Sequence, residues 1–350
     1  MKKSLLFFLT ATASLMLCAQ REDPAKYWND ADLETVPAFK ELADPIPEYE
    51  NMKAISFDGY AFDGKKGPVK AVISLPVSPA PPSGYPAVML LTPSGKYAQI
   101  WNSWGYAVMI VPGGKIQKFP GAVKCAENFR LAHSLLRSWP GIDKEKTGFI
   151  ALSGGYGNLL AAADKRFKFG VNLYYGACNL KSKNLFNGRF LHATQVPMFW
   201  VVKANDPANC PLPSLQAAFS ECASIKNKSI VVGLPVDYFG FRFGVTKRIA
   251  DQVLKGEKPL PVLDKPVVNG NIISAKILDE GKGIQKSILC ITKDKTLKKW
   301  EILLAKQENG TLSAELPADA LLAYFSAYDD LSAGNNYFCG SSDVWQKDAK

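Results

Sequence analysis

Histidine is scarce in this sequence. Only His133 and His192 occur among its 350 residues, and no two cysteines have the C-x-x-C spacing. Structural metal sites are commonly built from cysteine and histidine at such short spacings. The sequence therefore predicts neither a metal site nor a cofactor, and a reaction that needs a histidine base has only two residues to draw on.

Long hydrophobic runs are absent apart from the N terminus. Residues 1–19 begin with a lysine pair followed by an apolar stretch too short to span a bilayer, which is typical of a secretory signal peptide. Cleavage is expected after Ala19. The alternative is a lipoprotein anchored at Cys18, although Leu17 stands where a small residue is preferred. The sequence predicts an exported protein, periplasmic or extracellular, with no transmembrane segment.

A dense basic surface is also missing, although the net charge is +10 and falls to +8 without Lys2 and Lys3. Nucleic-acid binders cluster lysine and arginine beside aromatic residues on which bases stack. The lysines here are scattered, and their densest group, between Lys293 and Lys299, suits a solvated turn. No nucleic-acid partner is predicted.

Six of the seven cysteines remain once Cys18 leaves with the signal peptide. An oxidising compartment permits disulfides, and the pairs to test are Cys210 with Cys222 and Cys290 with Cys339. The alternative is that cysteines serve as small buried hydrophobic residues. That alternative is the preferred one for the two others, Cys125 and Cys178.

Two segments with different patterns follow an N-terminal extension over residues 20–53. From 54 to 264, near-continuous apolar strands such as Ala87–Leu91 alternate with helical spacing such as Val123–Ser138. This alternation predicts a mostly parallel sheet with helices on both faces. From 267 to 350, short strands at close intervals predict an antiparallel β-sandwich.

The stretch from Thr147 to Gly170 changes character at a serine. Its pattern predicts a strand over Gly148–Leu152, small residues around Ser153, and a helix over Asn158–Lys165. A nucleophile elbow has this form, because a serine on a strained strand-to-helix turn needs small neighbours and presents its hydroxyl above the sheet. Ser153 is the candidate nucleophile, with alanine at the first position of the usual G-x-S-x-G.

Several motifs around this elbow resemble a known family. They are WNSWGYAV at Trp101–Val108, HSLLRSWPGIDKEKTGF at His133–Phe149, DKRFKFGVNLYYG at Asp164–Gly176 and VPMFWVVKANDPANCP at Val196–Pro211. The chain resembles exported bacterial α/β-hydrolases such as acetyl xylan esterases, cephalosporin-C deacetylases and dienelactone hydrolases. The resemblance covers most of the chain and implies an α/β-hydrolase domain followed by an immunoglobulin-like β-sandwich.

The resemblance also implies roles for individual residues. Ser153 corresponds to the nucleophile, Asp206 to the orienting carboxylate, and the N–H of Gly154 to an oxyanion donor. The family's histidine is expected near residues 234–240, which read LPVDYFG and contain none. The family's His-Gly-Gly segment is replaced by TPSGK at residues 92–96, where the proline has no N–H to donate.

Other residues complete the candidate set. His192 precedes the strand that leads to the acid and is a candidate substitute base, whereas His133 is interpreted as an ordinary helix residue. The aromatic side chains of Tyr97, Tyr156 and Tyr238 suit stacking against a sugar ring, although aromatic residues more often belong to the core.

These features predict a carboxylic ester hydrolase fold with a defective catalytic set. A serine hydroxyl is almost fully protonated at neutral pH and needs a base to act as a nucleophile. Loss of the family histidine therefore predicts an inactive or weakened hydrolase whose cleft binds a glycan or a small acyl ester. The alternative is a working serine esterase with an unusual base such as His192. The oligomeric state stays open.

Overall fold

A computed structural model describes residues 21–43, 52–60, 64–92, 95–111, 121–152, 154–174, 188–208, 210–235, 244–331 and 339–347. Its helices are α1 (Ala98–Ser103), α2 (Gly121–Ser138), α3 (Gly154–Ala163), α4 (Leu212–Glu221) and α5 (Gly244–Lys255). The predicted signal peptide, including Cys18, lies outside the described residues. None of the described helices is long and apolar enough to cross a bilayer.

Nine of the described strands form one mixed sheet. They are β1 (Phe39–Glu41), β2 (Lys53–Tyr60), β3 (Lys66–Ser74), β4 (Tyr85–Leu91), β5 (Ala107–Ile110), β6 (Ile142–Ala151), β7 (Gly170–Leu173), β8 (Met198–Lys203) and β9 (Lys226–Val231). The order is β1-β2-β3-β5-β4-β6-β7-β8-β9. Strands β4 to β9 are parallel to one another, whereas β1, β2 and β3 pair antiparallel. This arrangement confirms the expected α/β-hydrolase fold.

The helices cover both faces of this sheet. Crossover connections between parallel strands are right-handed, so their direction along the sheet sets the face on which each helix lies. The connection from β4 to β5 runs one way and carries α1, whereas those from β5 to β6, β6 to β7 and β8 to β9 run the other way. Helices α2, α3 and α4 therefore lie on the face opposite α1.

The C-terminal region confirms the predicted β-sandwich. Its strands are β10 (Val262–Leu263), β11 (Val267–Asn269), β12 (Ile272–Asp279), β13 (Lys286–Thr292), β14 (Glu301–Leu304), β15 (Lys306–Glu308), β16 (Thr311–Glu315), β17 (Leu322–Tyr328), β18 (Cys339–Ser341) and β19 (Trp345–Gln346). Two five-stranded antiparallel sheets result, one around β12 and one around β17. The inner faces share a separate core that includes Leu289, Leu312 and Phe325.

The sandwich is hydrogen-bonded to the edge strand β9 and forms an ion pair with helix α5. The Ser341 hydroxyl accepts a hydrogen bond from the Ile230 N–H at 2.9 Å, which occupies a backbone group that an edge strand would otherwise leave unpaired. Lys228 forms an ion pair with Asp343 at the same place, and burial lowers the pKa of this lysine to about 8. The two domains therefore share a polar interface as well as apolar packing.

Neither predicted disulfide forms, since Cys210, Cys222, Cys290 and Cys339 are all buried free thiols. Cys210 and Cys222 stand at opposite ends of the ten-residue helix α4, which is about 15 Å long. Cys290 pairs with Tyr324, and Cys339 with Tyr328, so they flank β17 at points four residues apart, about 13 Å along the strand. A disulfide needs Cα atoms within about 7 Å, so both pairings were wrong.

Candidate active site

The strand order places a topological switch point at the ends of β4 and β6. These neighbours pair in register at Leu91 and Ala151, but the chain leaves β4 toward β5 and leaves β6 toward β7, on the other side. Ligands bind open α/β sheets where successive connections diverge in this way, at the carboxyl ends of the strands. We call this side of the sheet, where β4 to β9 end, the carboxyl edge, and the opposite side the amino edge.

The predicted elbow lies at the carboxyl edge. Strand β6 ends at Ala151 and helix α3 begins at Gly154, so Leu152 and Ser153 make the strand-to-helix connection, and Ser153 itself lies outside the described residues. The first N–H groups of a helix have no acceptor within the helix. The position of Gly154 at the start of α3 is therefore compatible with its predicted oxyanion role.

Asp206 lies at the same edge, in the turn after β8, and its residue is half-buried. Strands β6 and β8 are separated by β7 alone, which puts their ends about 10 Å apart. The neighbouring Asn205 accepts a hydrogen bond from the Gly233 N–H at 2.9 Å and ties this turn to the loop after β9. The structure thus brings the predicted acid to the side of the sheet on which β6 ends and α3 begins.

His192 lies at the amino edge instead. It belongs to a short 3₁₀ helix, Leu191–Ala193, whose Leu191 carbonyl accepts a hydrogen bond from the Ala223 N–H at 3.1 Å. Thr194 contacts the Cys222 sulfur at 3.2 Å. Residues 222 and 223 connect the end of α4 to the start of β9, so this contact fixes the 3₁₀ helix far from the carboxyl edge. The predicted role of His192 as a substitute base is not supported by this position.

His133 is committed to the core. Its side chain has no exposed area and stacks on the Phe167 ring with centroids 3.5 Å apart. The imidazole bonds the Asp164 carboxylate through Nδ1 at 2.8 Å and the Thr147 hydroxyl through Nε2 at 2.9 Å. A neutral ring satisfies both contacts when Nδ1–H donates to the carboxylate and Nε2 accepts from the hydroxyl. Thr147, His133 and Asp164 thus repeat the chemical order of a catalytic triad in a place that no substrate reaches.

This burial makes the fold sensitive to acid. Desolvation lowers the pKa of His133 below its ordinary 6.5, so the unfolded chain takes up this proton at a higher pH than the folded chain does. The free energy of unfolding is therefore unaffected by this titration above about pH 6.5 and falls as the pH drops below that value. We expect urea midpoints between pH 7.5 and pH 5 to fall less steeply in His133→Gln than in the wild type.

A matched control separates this effect from general destabilisation. Leu135→Ala removes a fully buried side chain from the same helix and introduces no titrating group, so its midpoints should be lower but parallel to those of the wild type. If the urea midpoint fell equally steeply with pH in His133→Gln and in the wild type, the acid sensitivity would not come from His133.

Two of the three aromatic candidates are core residues. Tyr97 is 4% exposed and Tyr156 is 3% exposed, and the Tyr156 ring meets Phe129 edge-on at 5.5 Å. Side chains this deeply buried offer no face on which a sugar could stack, so their predicted binding role is not supported. Tyr238 lies outside the described residues.

Sequence reasoning missed a polar brace beneath the elbow. Asn172, on β7, pairs in register with Ala151 and donates a hydrogen bond to the Asn158 side chain on α3 at 2.7 Å. A Cβ at Gly157 would lie 1.9 Å from the Asn172 Oδ1, which explains the glycine. The brace holds the first turns of α3 against β7. Its one sequence signal is an asparagine inside the apolar run GVNL.

Tyr174 is a second feature that the sequence did not reveal. It directly follows β7, between the ends of β6 and β8, is 1% exposed, and has a φ of 62°. A bulky non-glycine residue rarely adopts this left-handed conformation, and such strain is concentrated at functional sites. An apolar strand followed by tyrosine gives no sequence signal for this left-handed conformation.

No group of three or more histidine, cysteine, aspartate or glutamate residues suited to a metal ion occurs in the described part of the chain. No protein-family model matches the sequence. No curated protein matches it either.

Comparison with solved structures finds esterases. An acetyl xylan esterase from Paenibacillus sp. R4 is 11% identical, with 66% of this chain and 99% of that chain covered at a TM-score of 0.49. Acetyl xylan esterase 1 from Thermoanaerobacterium sp. JW/SL YS485 is 15% identical, with 67% and 93% covered at 0.44. A cold-adapted esterase from an Arctic intertidal metagenomic library is 15% identical, with 63% and 100% covered at 0.47. The chain is similar to these esterases in fold.

Proposed function

We propose that this protein binds a small acyl ester or an acylated glycan at the carboxyl edge and hydrolyses it weakly or not at all. The observation that carries the proposal is the position of its histidines. The chain has only two; one is sealed in the core with Asp164 and Thr147, and the other lies at the amino edge. A general base must come within hydrogen-bond reach of the hydroxyl that it deprotonates.

The remaining parts of an ester-binding site support the binding half of the proposal. The start of α3 at Gly154 and the turn that contains Asp206 share one edge, and the strand connections diverge there. We further propose, from residues 1–19, that the protein acts in an exported compartment.

The first test is acyl release from p-nitrophenyl acetate and from acetylated xylan. We expect the mature chain to release acyl groups at the same rate as Ser153→Ala or only slightly faster, because no imidazole activates the serine. Turnover far above the Ser153→Ala background would overturn the proposal and identify a serine esterase with a base other than histidine. The matched control is His192→Gln, which should leave the rate unchanged on either outcome, since the residue lies at the opposite edge.

A further inference from the structure

A concave site lies at the amino edge, on the side of the sheet that carries β1. It encloses about 580 Å³ and is lined by residues of β1, β2, the end of β3 and the turn after α2. This volume falls within the range of about 300–1,000 Å³ that is typical of ligand sites. Strands of the parallel sheet separate it from the carboxyl edge, so it is distinct from the candidate active site.

Two aromatic rings form one wall of this groove. Phe39 is 41% exposed, and its ring lies 5.5 Å from that of Trp139 at an angle of 40°. Leu75, which is 38% exposed, adds a third apolar surface. Large exposed apolar side chains that line a single concavity are a mark of binding sites.

The rim carries one cation and one anion. The Lys53 ammonium lies 3.2 Å from the Glu41 carboxylate and 5.9 Å from the centroid of the Trp139 ring. The side chains of Lys53 and Glu41 are 62% and 57% exposed, so each keeps hydrogen-bonding capacity for a ligand. The groove therefore offers aromatic faces, a donor and an acceptor, with no net charge at its rim.

The chemistry of these groups selects a class of ligand. An anionic ligand would meet Glu41, a cationic ligand would meet Lys53, and a wholly apolar ligand would strip water from both without replacing its hydrogen bonds. A neutral ring with an apolar face and many hydroxyl groups satisfies all the surfaces at once. The geometry points to a neutral saccharide, held with its apolar face on Phe39 and Trp139 and its hydroxyls on Glu41 and Lys53. This inference does not depend on the state of Ser153.

The test is calorimetric titration of the mature chain with three neutral probes: xylotetraose, cellotetraose and maltotetraose. We expect saturable binding of at least one of them. Phe39→Ala should weaken it about tenfold, since an aromatic contact contributes on the order of the free energy that one decade of affinity represents. Trp139→Leu should weaken it further, and Lys53→Met should weaken it while leaving the aromatic wall in place.

The matched control is Leu304→Ala, which truncates an 80% exposed side chain on the sandwich and should leave the affinity unchanged. Phe39 is on the surface of an edge strand, so Phe39→Ala tests the site even where Trp139→Leu perturbs folding. Absence of binding by all three probes would overturn the inference, as would binding that both aromatic variants leave intact. Self-association that Phe39→Ala abolishes would also overturn it, by assigning the groove to a second copy of the chain.

Discussion

Asp164→Asn is expected to lower the free energy of unfolding by about 3–5 kcal/mol, the cost of leaving a buried charge without its partner. Asp164 has no exposed side-chain area, and both of its oxygens accept hydrogen bonds from Arg166, at 2.9 and 2.7 Å. The Arg166 guanidinium also donates to the Leu33 carbonyl and the Ser134 hydroxyl. Removal of the carboxylate therefore loosens the N-terminal extension along with α2 and α3.

Urea unfolding of the variant beside Glu145→Gln measures this effect. Glu145 also faces two cations, Lys168 and Arg137, but its side chain is 59% exposed, so its loss should change stability by about 0–1 kcal/mol. Adding Arg166→Met to Asp164→Asn should recover part of the loss, because it removes the stranded charge. Equal midpoints for Asp164→Asn and Glu145→Gln would show that burial does not strengthen the first pair.

Asp329→Asn is expected to cost a similar amount, about 3–5 kcal/mol, at the junction of the two domains. Its carboxylate lies 2.7 Å from the Arg248 guanidinium of α5, and the two side chains are 0% and 4% exposed. It also accepts the Lys282 N–H at 2.9 Å, which orders the turn at Gly281. The variant leaves Arg248 with the Lys258 and Pro259 carbonyls alone.

Two measurements test this second prediction: the urea midpoint and the rate of proteolysis between residues 257 and 266, where the sandwich joins the α/β domain. In Asp329→Asn the urea midpoint should be lower and proteolysis should be faster, because local opening at the junction becomes more populated. Asp319→Asn is the control, since Asp319 pairs with Lys293 at 3.4 Å but is 67% exposed. A faster cut without a lower midpoint would place the ion pair at the junction but not among the stabilising contacts of the whole fold.

Hydrophobic pattern predicted the main elements of the fold because each is long or fully buried. All seven residues of β4 are buried, and a run of this kind indicates a strand inside a parallel sheet. Strand β1 was missed and placed in the N-terminal extension because its three residues, Phe39–Glu41, are all exposed. Its place in the sheet comes from pairing with β2, which a local pattern does not encode. Strand β10 was missed for the same reason, since two residues carry no periodicity.

For the candidate site, the sequence predicts only at which edge of the sheet a residue lies, from whether that residue precedes or follows a parallel strand. Asp206 follows a parallel strand, and all such strands end at one edge, so its location there could be inferred. The pairing of Asp206 with Ser153 stays a prediction, because Ser153 lies outside the described residues. His192 precedes a strand, and the contacts with Cys222 and Ala223 that fix it at the amino edge link residues about 30 apart in sequence. Disulfide pairing failed likewise, because spacing in sequence does not reveal that a helix holds Cys210 and Cys222 apart.

The four buried thiols have a practical consequence for measuring motion. A reagent that alkylates cysteine reaches Cys210 or Cys222 only when the ends of α4 open, and reaches Cys290 or Cys339 only when the sandwich separates from the α/β domain. Labelling rates resolved peptide by peptide under native conditions would then give the free energy of each opening. The native cysteines thus report on opening at two separate places, the ends of α4 and the interface between the sandwich and the α/β domain, without any substitution.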